Sequence, residues 1–364
     1  MVGVSLRAIL VCLAAFFGFS GTLLAQVNIG NESNVKDGFD VVALGVKGGI
    51  QDGNLSAFMI APHGDSRSVL CDAGTVTNGI KVAIENGAFN DIVVPSKSSL
   101  SKVGYVSTHL INGYLITHAH LDHVAGLMIA SVDDINKPIY GLPSTLTVLK
   151  NSLFNWQAWP NFTDGGKAPQ LNKYALQAVN TNAVFPIKNT DMTAQAFELS
   201  HNGVISTAYL IRQGNSSMLC VGDTGPDVIE PGNQLATLWQ AIADELVAGR
   251  LKAIIIEVSY VNARPDKLLF GHLTPKHLLV ELSHLASLVG PASVNLTGEL
   301  ASGEKGGRSM YNALEDLPIV ISHIKYSLKK EQNLAQVIEA ELAERNTLGV
   351  KFIIPQQGER WHFY

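Results

Sequence analysis

The chain has 364 residues, 46% hydrophobic and only 16% charged, which excludes an intrinsically disordered polymer, since disorder needs low hydrophobicity and dense charge. With 26 Lys+Arg against 31 Asp+Glu, the formal net charge is −5, so no basic field exists to hold the chain on a nucleic-acid backbone. Length alone gives a prior of about two domains, although large α/β folds often use this length as one.

The first element is an apolar leader. After Arg7, residues 8–19 (AILVCLAAFFGF) form a run of signal-peptide length, too short to span a bilayer comfortably. Small residues follow around Ser20, Gly21 and Ala25. The expectation is a signal peptide over 1–25, export to the periplasm or the exterior, and one mature domain over 26–364. Cys12 lies within the apolar run behind the bulky Val11, which argues against lipid attachment there. Cys71 and Cys220 end two β-like runs, SVLC and SMLC, and are expected as free buried thiols rather than as a disulfide.

Those two runs belong to a repeat. Ser56-Ala57-Phe58-Met59-Ile60, a polar turn and Ser68 to Gly74 are matched by Thr207-Ala208-Tyr209-Leu210-Ile211, a polar turn and Ser217 to Asp223. Each unit reads as two apolar strands around a turn, ending in an aspartate beside a glycine. Helical patterns cover 78–86, 122–130, 233–248, 275–288 and 332–345, and further strands are expected at 114–117, 253–257, 294–297, 319–322 and 350–354. No linker separates the halves. Alternation of strands and helices in both predicts one layered α/β domain.

The strand Tyr114-Leu115-Ile116-Thr117 runs straight into His118-Ala119-His120-Leu121-Asp122-His123. In extended backbone, side chains two apart share a face, so His118, His120 and Asp122 converge while His123 turns to the other side. These groups, packed into one hexapeptide, point to a metal site. Neutral imidazole with carboxylate suits zinc, with manganese or iron left open.

The His118-x-His120-x-Asp122-His123 run resembles the metallo-β-lactamase superfamily. With Leu121 and Gly126, and with Phe270-Gly271-His272-Leu273-Thr274-Pro275 and Ile321-Ser322-His323-Ile324-Lys325, it is most similar to the class II cyclic-nucleotide phosphodiesterases. The resemblance implies an αβ/βα four-layer sandwich of two pseudo-symmetric halves, with two divalent metals, most readily zinc, along one edge. It assigns His118, His120 and His201 to one metal and Asp122, His123 and His323 to the second, with Asp223 bridging. His272 competes with His323 for the last ligand place, and the resemblance gives it instead the leaving-group proton, oriented by Glu257; Asp122 is counted with the catalytic residues as well as the ligands. A metal-bridged hydroxide attacking phosphorus would open a 3′,5′-cyclic nucleotide to the nucleoside 5′-monophosphate, with cyclic AMP the first expectation and cyclic GMP open.

Thr274 is expected as the N-cap of a helix with Pro275 at its first position, its N–H groups facing the phosphate. Trp156, Trp159 and Phe162 lie in a loop-like insertion where a ring could stack on a purine, although packing or a subunit contact is the plainer use. His277 is expected on a helix face, His109 at the surface, and His63, His284 and His362 as solvated or packed side chains. The partner is a small cyclic nucleotide, with no nucleic acid, no stable membrane association once the leader is removed, and homodimer formation open. Two other readings stay open: another hydrolase of the superfamily acting on RNA, lactones or β-lactams, and an exported metal-binding protein without turnover.

Overall fold

In the computed structural model, residues 37–289, 312–328 and 333–364 are described. The leader over 1–25 and the strand expected at 294–297 lie outside them. The described residues all fall in one compact unit, and no helix among them is long and apolar enough to cross a membrane.

The first half contributes strands β1 (Phe39–Gly45), β2 (Lys47–Gly48), β3 (Ala57–Pro62), β4 (Ser68–Cys71), β5 (Ile111–Leu115), β6 (Lys137–Gly141) and β7 (Tyr174–Ala178). The second contributes β8 (Val184–Pro186), β9 (Thr193–His201), β10 (Val204–Gln213), β11 (Ser216–Val221), β12 (Leu251–Glu257), β13 (Pro318–Ser322), β14 (Ile324–Lys325), β15 (Lys351–Ile353) and β16 (Arg360–Phe363). Two seven-stranded sheets result, ordered β16-β1-β3-β4-β5-β6-β7 and β15-β13-β12-β11-β10-β9-β8, with β14 and β2 forming a separate ribbon. In each sheet an antiparallel pair, β3 with β4 or β10 with β11, leads into parallel strands beginning with β5 or β12. This is the sequence repeat in three dimensions.

Side-chain alternation along the strands builds the layers. In β1, Val41 and Ala43 enter the central core with Phe58, Tyr209, Met218 and Ile255, while Val42 and Leu44 face outward onto a second core. That outer core is covered by helices α1 (Thr77–Glu85), α3 (Leu121–Ala130) and α4 (Pro143–Val148), with the short α2 (Lys102–Tyr105) beside them. On the far sheet, Leu210, Leu219, Ile254 and Ile256 pack against α5 (Gln234–Val247), α6 (Pro275–Val289) and α7 (Leu334–Glu344). Trp239 of α5 is fully buried there, and its truncation to alanine would cost about 3–5 kcal/mol. Three cores between four layers give the αβ/βα sandwich.

The cysteine expectation is corrected. Cys71 and Cys220 form a disulfide across a sequence separation of 149. Both are buried in the central core, at matching ends of β4 and β11, so the pseudo-symmetry that makes SVLC and SMLC equivalent also brings the two thiols face to face. In the aromatic insertion Trp159 and Phe162 pack on the outer core, while Trp156 is partly exposed. Trp159 donates from Nε1 to Ser131 Oγ at 3.0 Å, Trp156 donates from Nε1 to the Pro169 carbonyl at 2.8 Å, and Phe162 packs on the outer core beneath the Lys173 ammonium.

Candidate metal centre

The site forms where strand ends from both sheets meet. After β5, the chain passes through His118 and His120 before α3 starts at Leu121, so Asp122 and His123 sit in the first helical turn and not in extended backbone. The expected shared face therefore holds for His118 and His120, with His118 Nε2 3.0 Å from His120 Nδ1. Asp122 instead turns toward His323, Oδ2 to Nε2 3.2 Å. Gly126, one turn further on, is required by close approach: a Cβ there would lie 2.7 Å from the Val76 nitrogen.

His201 ends β9 and brings Nε2 to 3.3 Å from His120 Nδ1. His323 follows β13 at φ 60°, a left-handed conformation uncommon for residues other than glycine; the turn brings its Nε2 to 3.1 Å from His123 Nε2. Asp223, just past β11, lies between the two groups. Its Oδ2 stands 3.2 Å from His323, 3.3 Å from His123, 3.8 Å from His201 and 3.9 Å from His118. The structure thus gathers His118, His120 and His201 into one cluster and Asp122, His123 and His323 into another.

Four of these imidazoles are anchored through Nδ1 and present Nε2 to the middle. Nδ1 of His118 meets Thr117 Oγ1 at 3.1 Å, that of His123 meets Asp72 Oδ2 at 2.6 Å, that of His201 meets the Gly271 carbonyl at 2.7 Å, and that of His323 meets Ser259 Oγ at 3.0 Å. Such outer hydrogen bonds fix ring orientation and leave the other nitrogen as a ligand lone pair. Asp72 escaped the sequence reading as a site residue, although the repeat had marked it as the counterpart of Asp223. It sits at φ 56° and also accepts from Thr117 N and Oγ1, both at 2.9 Å. Gly48 was missed too: a Cβ there would run into the His323 ring.

Burial, reinforced by neighbouring imidazoles, lowers the pKa of His118 and His120. Burial pulls His123 down as well, but the Asp223 and Asp72 carboxylates outweigh it and hold that group well above the usual histidine range. Asp122, despite burial, is held below the ordinary carboxylate range, chiefly by its bond to His323. This donor set fits divalent metals. Nitrogen and oxygen atoms on a tetrahedral ion at about 2.0–2.1 Å lie about 3.3 Å apart, and the contacts at 3.0, 3.1, 3.2 and 3.3 Å have that spacing within an all-imidazole and carboxylate set.

His272, also buried and grouped with His201 and Asp223, has a different partner. Its Nδ1 is hydrogen-bonded to Glu257 Oε1 at 2.8 Å and lies 3.7 Å from Asp223 Oδ2. Glu257 ends β12 and also accepts from Thr224 N at 2.9 Å and Ser259 Oγ at 2.6 Å. Burial and the Asp223 charge push its carboxyl up to about 7, while burial pushes His272 down to about 4. At the start of α6, Thr274 Oγ1 pairs with His277 Nδ1 at 2.9 Å, and the Lys276 N–H is taken by Asn262 Oδ1 at 2.7 Å. The helix end is therefore partly satisfied by the protein instead of offering all its N–H groups outward. His63 and His362, read as solvated or packed, both contact Asp40 Oδ1 through Nδ1 at 2.7 and 2.6 Å.

A profile of the cAMP phosphodiesterases class-II matches residues 39–358. The chain belongs to that family. It is 46% identical over 326 residues to a 3′,5′-cyclic-nucleotide phosphodiesterase of Aliivibrio fischeri, covering 89% of this chain and 93% of that one. Among solved structures, unliganded yeast PDE1 superposes with a TM-score of 0.70 at 24% identity, over 90% of this chain and all (100%) of the other. The metallo-β-lactamase fold protein YhfI of Bacillus subtilis superposes with a TM-score of 0.54 at 13% identity, over 90% of this chain and 100% of the other. These likenesses show the metallo-β-lactamase fold, whose divalent-metal binding the His/Asp clusters fit.

Proposed function

We propose that the chain hydrolyses 3′,5′-cyclic AMP to 5′-AMP, breaking the bond between phosphorus and O3′. The observation that carries this reading is the buried His272–Glu257 pair beside the two His/Asp clusters, in a chain of this family. His118, His120 and His201 would hold one ion, Asp122, His123 and His323 the other, and Asp223 would touch both. When bound, divalent cations, zinc being the best match to these donors, lower the pKa of water and offset charge on phosphoryl oxygens.

The chain's own residues then handle the proton. Opening the ring leaves an alkoxide on O3′, a poor leaving group until protonated. Glu257, its carboxyl pushed up to about 7, holds a proton near neutrality 2.8 Å from Nδ1 of a His272 held down to about 4. As that proton passes to Nδ1, His272 presents Nε2 to deliver one to O3′. Asp223 and the buried walls favour that proton's retention until the bond breaks.

The reading includes export. The apolar run at 8–19 supports a removable leader, and the buried Cys71–Cys220 disulfide supports folding in an oxidising compartment, where such bonds persist. The decisive experiment is turnover of cyclic AMP by the purified, metal-loaded chain, with 5′-AMP as product, loss on chelation and recovery on adding zinc. Formation of 3′-AMP, or no turnover at full metal occupancy, would overturn the reading.

A further inference from the structure

Directly after His323, the chain enters the parallel ribbon of β14 and β2, with Ile324 opposite Lys47 and Lys325 opposite Gly48. Against this ribbon lies a cleft of about 350 Å³ whose lining includes Lys47, Gln51, Lys325, Tyr326 and Asn333. It adjoins the metal centre through Lys325 and the β2 end. Lys325 Nζ stands 3.7 Å from Asp122 Oδ2, and the neighbouring Gly49 N–H donates to that same oxygen at 2.7 Å.

Charge and polarity in the cleft are one-sided. Among the described residues no aspartate or glutamate lines it, although acids outnumber bases in the whole chain. Lys47 is half-buried, and among the described residues no hydrogen bond or carboxylate occupies its ammonium. Tyr326 lines the cleft and is 51% exposed, and the amides of Gln51 and Asn333 add donors and acceptors. A volume of this size suits a small organic ligand, and this combination suits an anion carrying an aromatic base.

We infer that this cleft seats the nucleoside half of the substrate, with the base on Tyr326, the amides of Gln51 and Asn333 along its edge, and Lys47 and Lys325 facing the cyclic phosphate beside the metal centre. The inference rests on the phosphodiesterase reading above. It assigns base recognition to the β2–β14 side and not to the aromatic insertion, whose Trp159 and Phe162 rings are spent on packing.

Two measurements test it. Photolabelling with 8-azidoadenosine 3′,5′-cyclic phosphate, followed by peptide mapping, should place the label on the segment around Tyr326. Tyr326→Ala should raise KM for cyclic AMP about tenfold, the scale of one base–aromatic stack. Lys47→Met should do likewise, as loss of one charge-assisted contact, and Lys47→Arg should restore it. In all three variants kcat should stay within about threefold, as expected when ground-state and transition-state binding are lost alike, and metal content should be unchanged. A label on residues 154–162, or unchanged KM in both loss variants of an active enzyme, overturns the inference and leaves the phosphodiesterase reading standing. A metal-loaded wild type that turns over no cyclic nucleotide overturns that reading, and the inference falls with it.

Discussion

Cys71 and Cys220 are bonded between strands that deliver Asp72 and Asp223 to the metal centre one and three residues later. The disulfide therefore staples the two sheets at the level where the half-sites must register. Replacing both cysteines by alanine, or reducing the bond, should destabilise the protein by about 2–5 kcal/mol, read as a lowered thermal midpoint. Metal affinity should fall with it. Alkylation of the unreduced, denatured chain should modify neither cysteine; labelling of both would remove the staple from the argument.

His272 and Glu257 should separate proton delivery from metal binding. His272→Ala should lower kcat on cyclic AMP by about 10²–10⁴, the usual range for a positioned acid, while metal content stays at the wild-type level. With bis(p-nitrophenyl) phosphate, whose leaving group departs without a proton, the loss should shrink to a small factor. Glu257→Gln should lie between wild type and His272→Ala, because the amide oxygen can still accept from Nδ1 but cannot share the proton. An equal loss on both substrates would assign His272 to binding.

The two clusters should empty separately. His201→Ala removes a ligand that reaches His120, and His323→Ala one that reaches Asp122 and His123. Each should lower the metal content of dialysed protein from about two ions per chain toward one, with His123 and Asp223 still in place. Loss of both ions in either variant would show a single cooperative site.

Much of this site was legible in the sequence because a strand end forces residues into one place. His118 and His120 follow β5, His201 ends β9, Asp223 follows β11 and His323 follows β13, so apolar runs marked where each side chain would emerge. What stayed hidden depends on contacts between distant segments. The helical pattern over 122–130 places the start of α3 to within one residue, but reading the hexapeptide as extended backbone through Asp122 hides the turn that carries Asp122 toward His323. Two isolated cysteines gave no hint of pairing until the repeat was folded onto itself. Asp72 was visible as the partner of Asp223 in the repeat, yet its work, holding His123 and Thr117, lies across a helix start. Lys47 and Tyr326 carry no pattern at all, since a cleft is made by where the ribbon lies and not by the residues along it.

Metal loading should release protons, and His123 gives the sign. In the metal-free protein the Asp223 and Asp72 carboxylates hold its pKa well above 6.5 against burial, so at neutral pH it carries a proton. Only the neutral ring can ligate. Zinc binding must therefore expel that proton, whereas His118 and His120, whose pKa values are lowered, enter neutral and release none. Zinc titrations at pH 7 in buffers of different ionisation enthalpy should report net proton release, and apparent affinity should fall as pH falls. Asp72→Asn removes one of the two charges that favour the imidazolium, so it should reduce the release at neutral pH while weakening the hold on ring orientation by about 10–100-fold in metal affinity. Proton release identical in wild type and Asp72→Asn would show that Asp72 does not set the charge of His123.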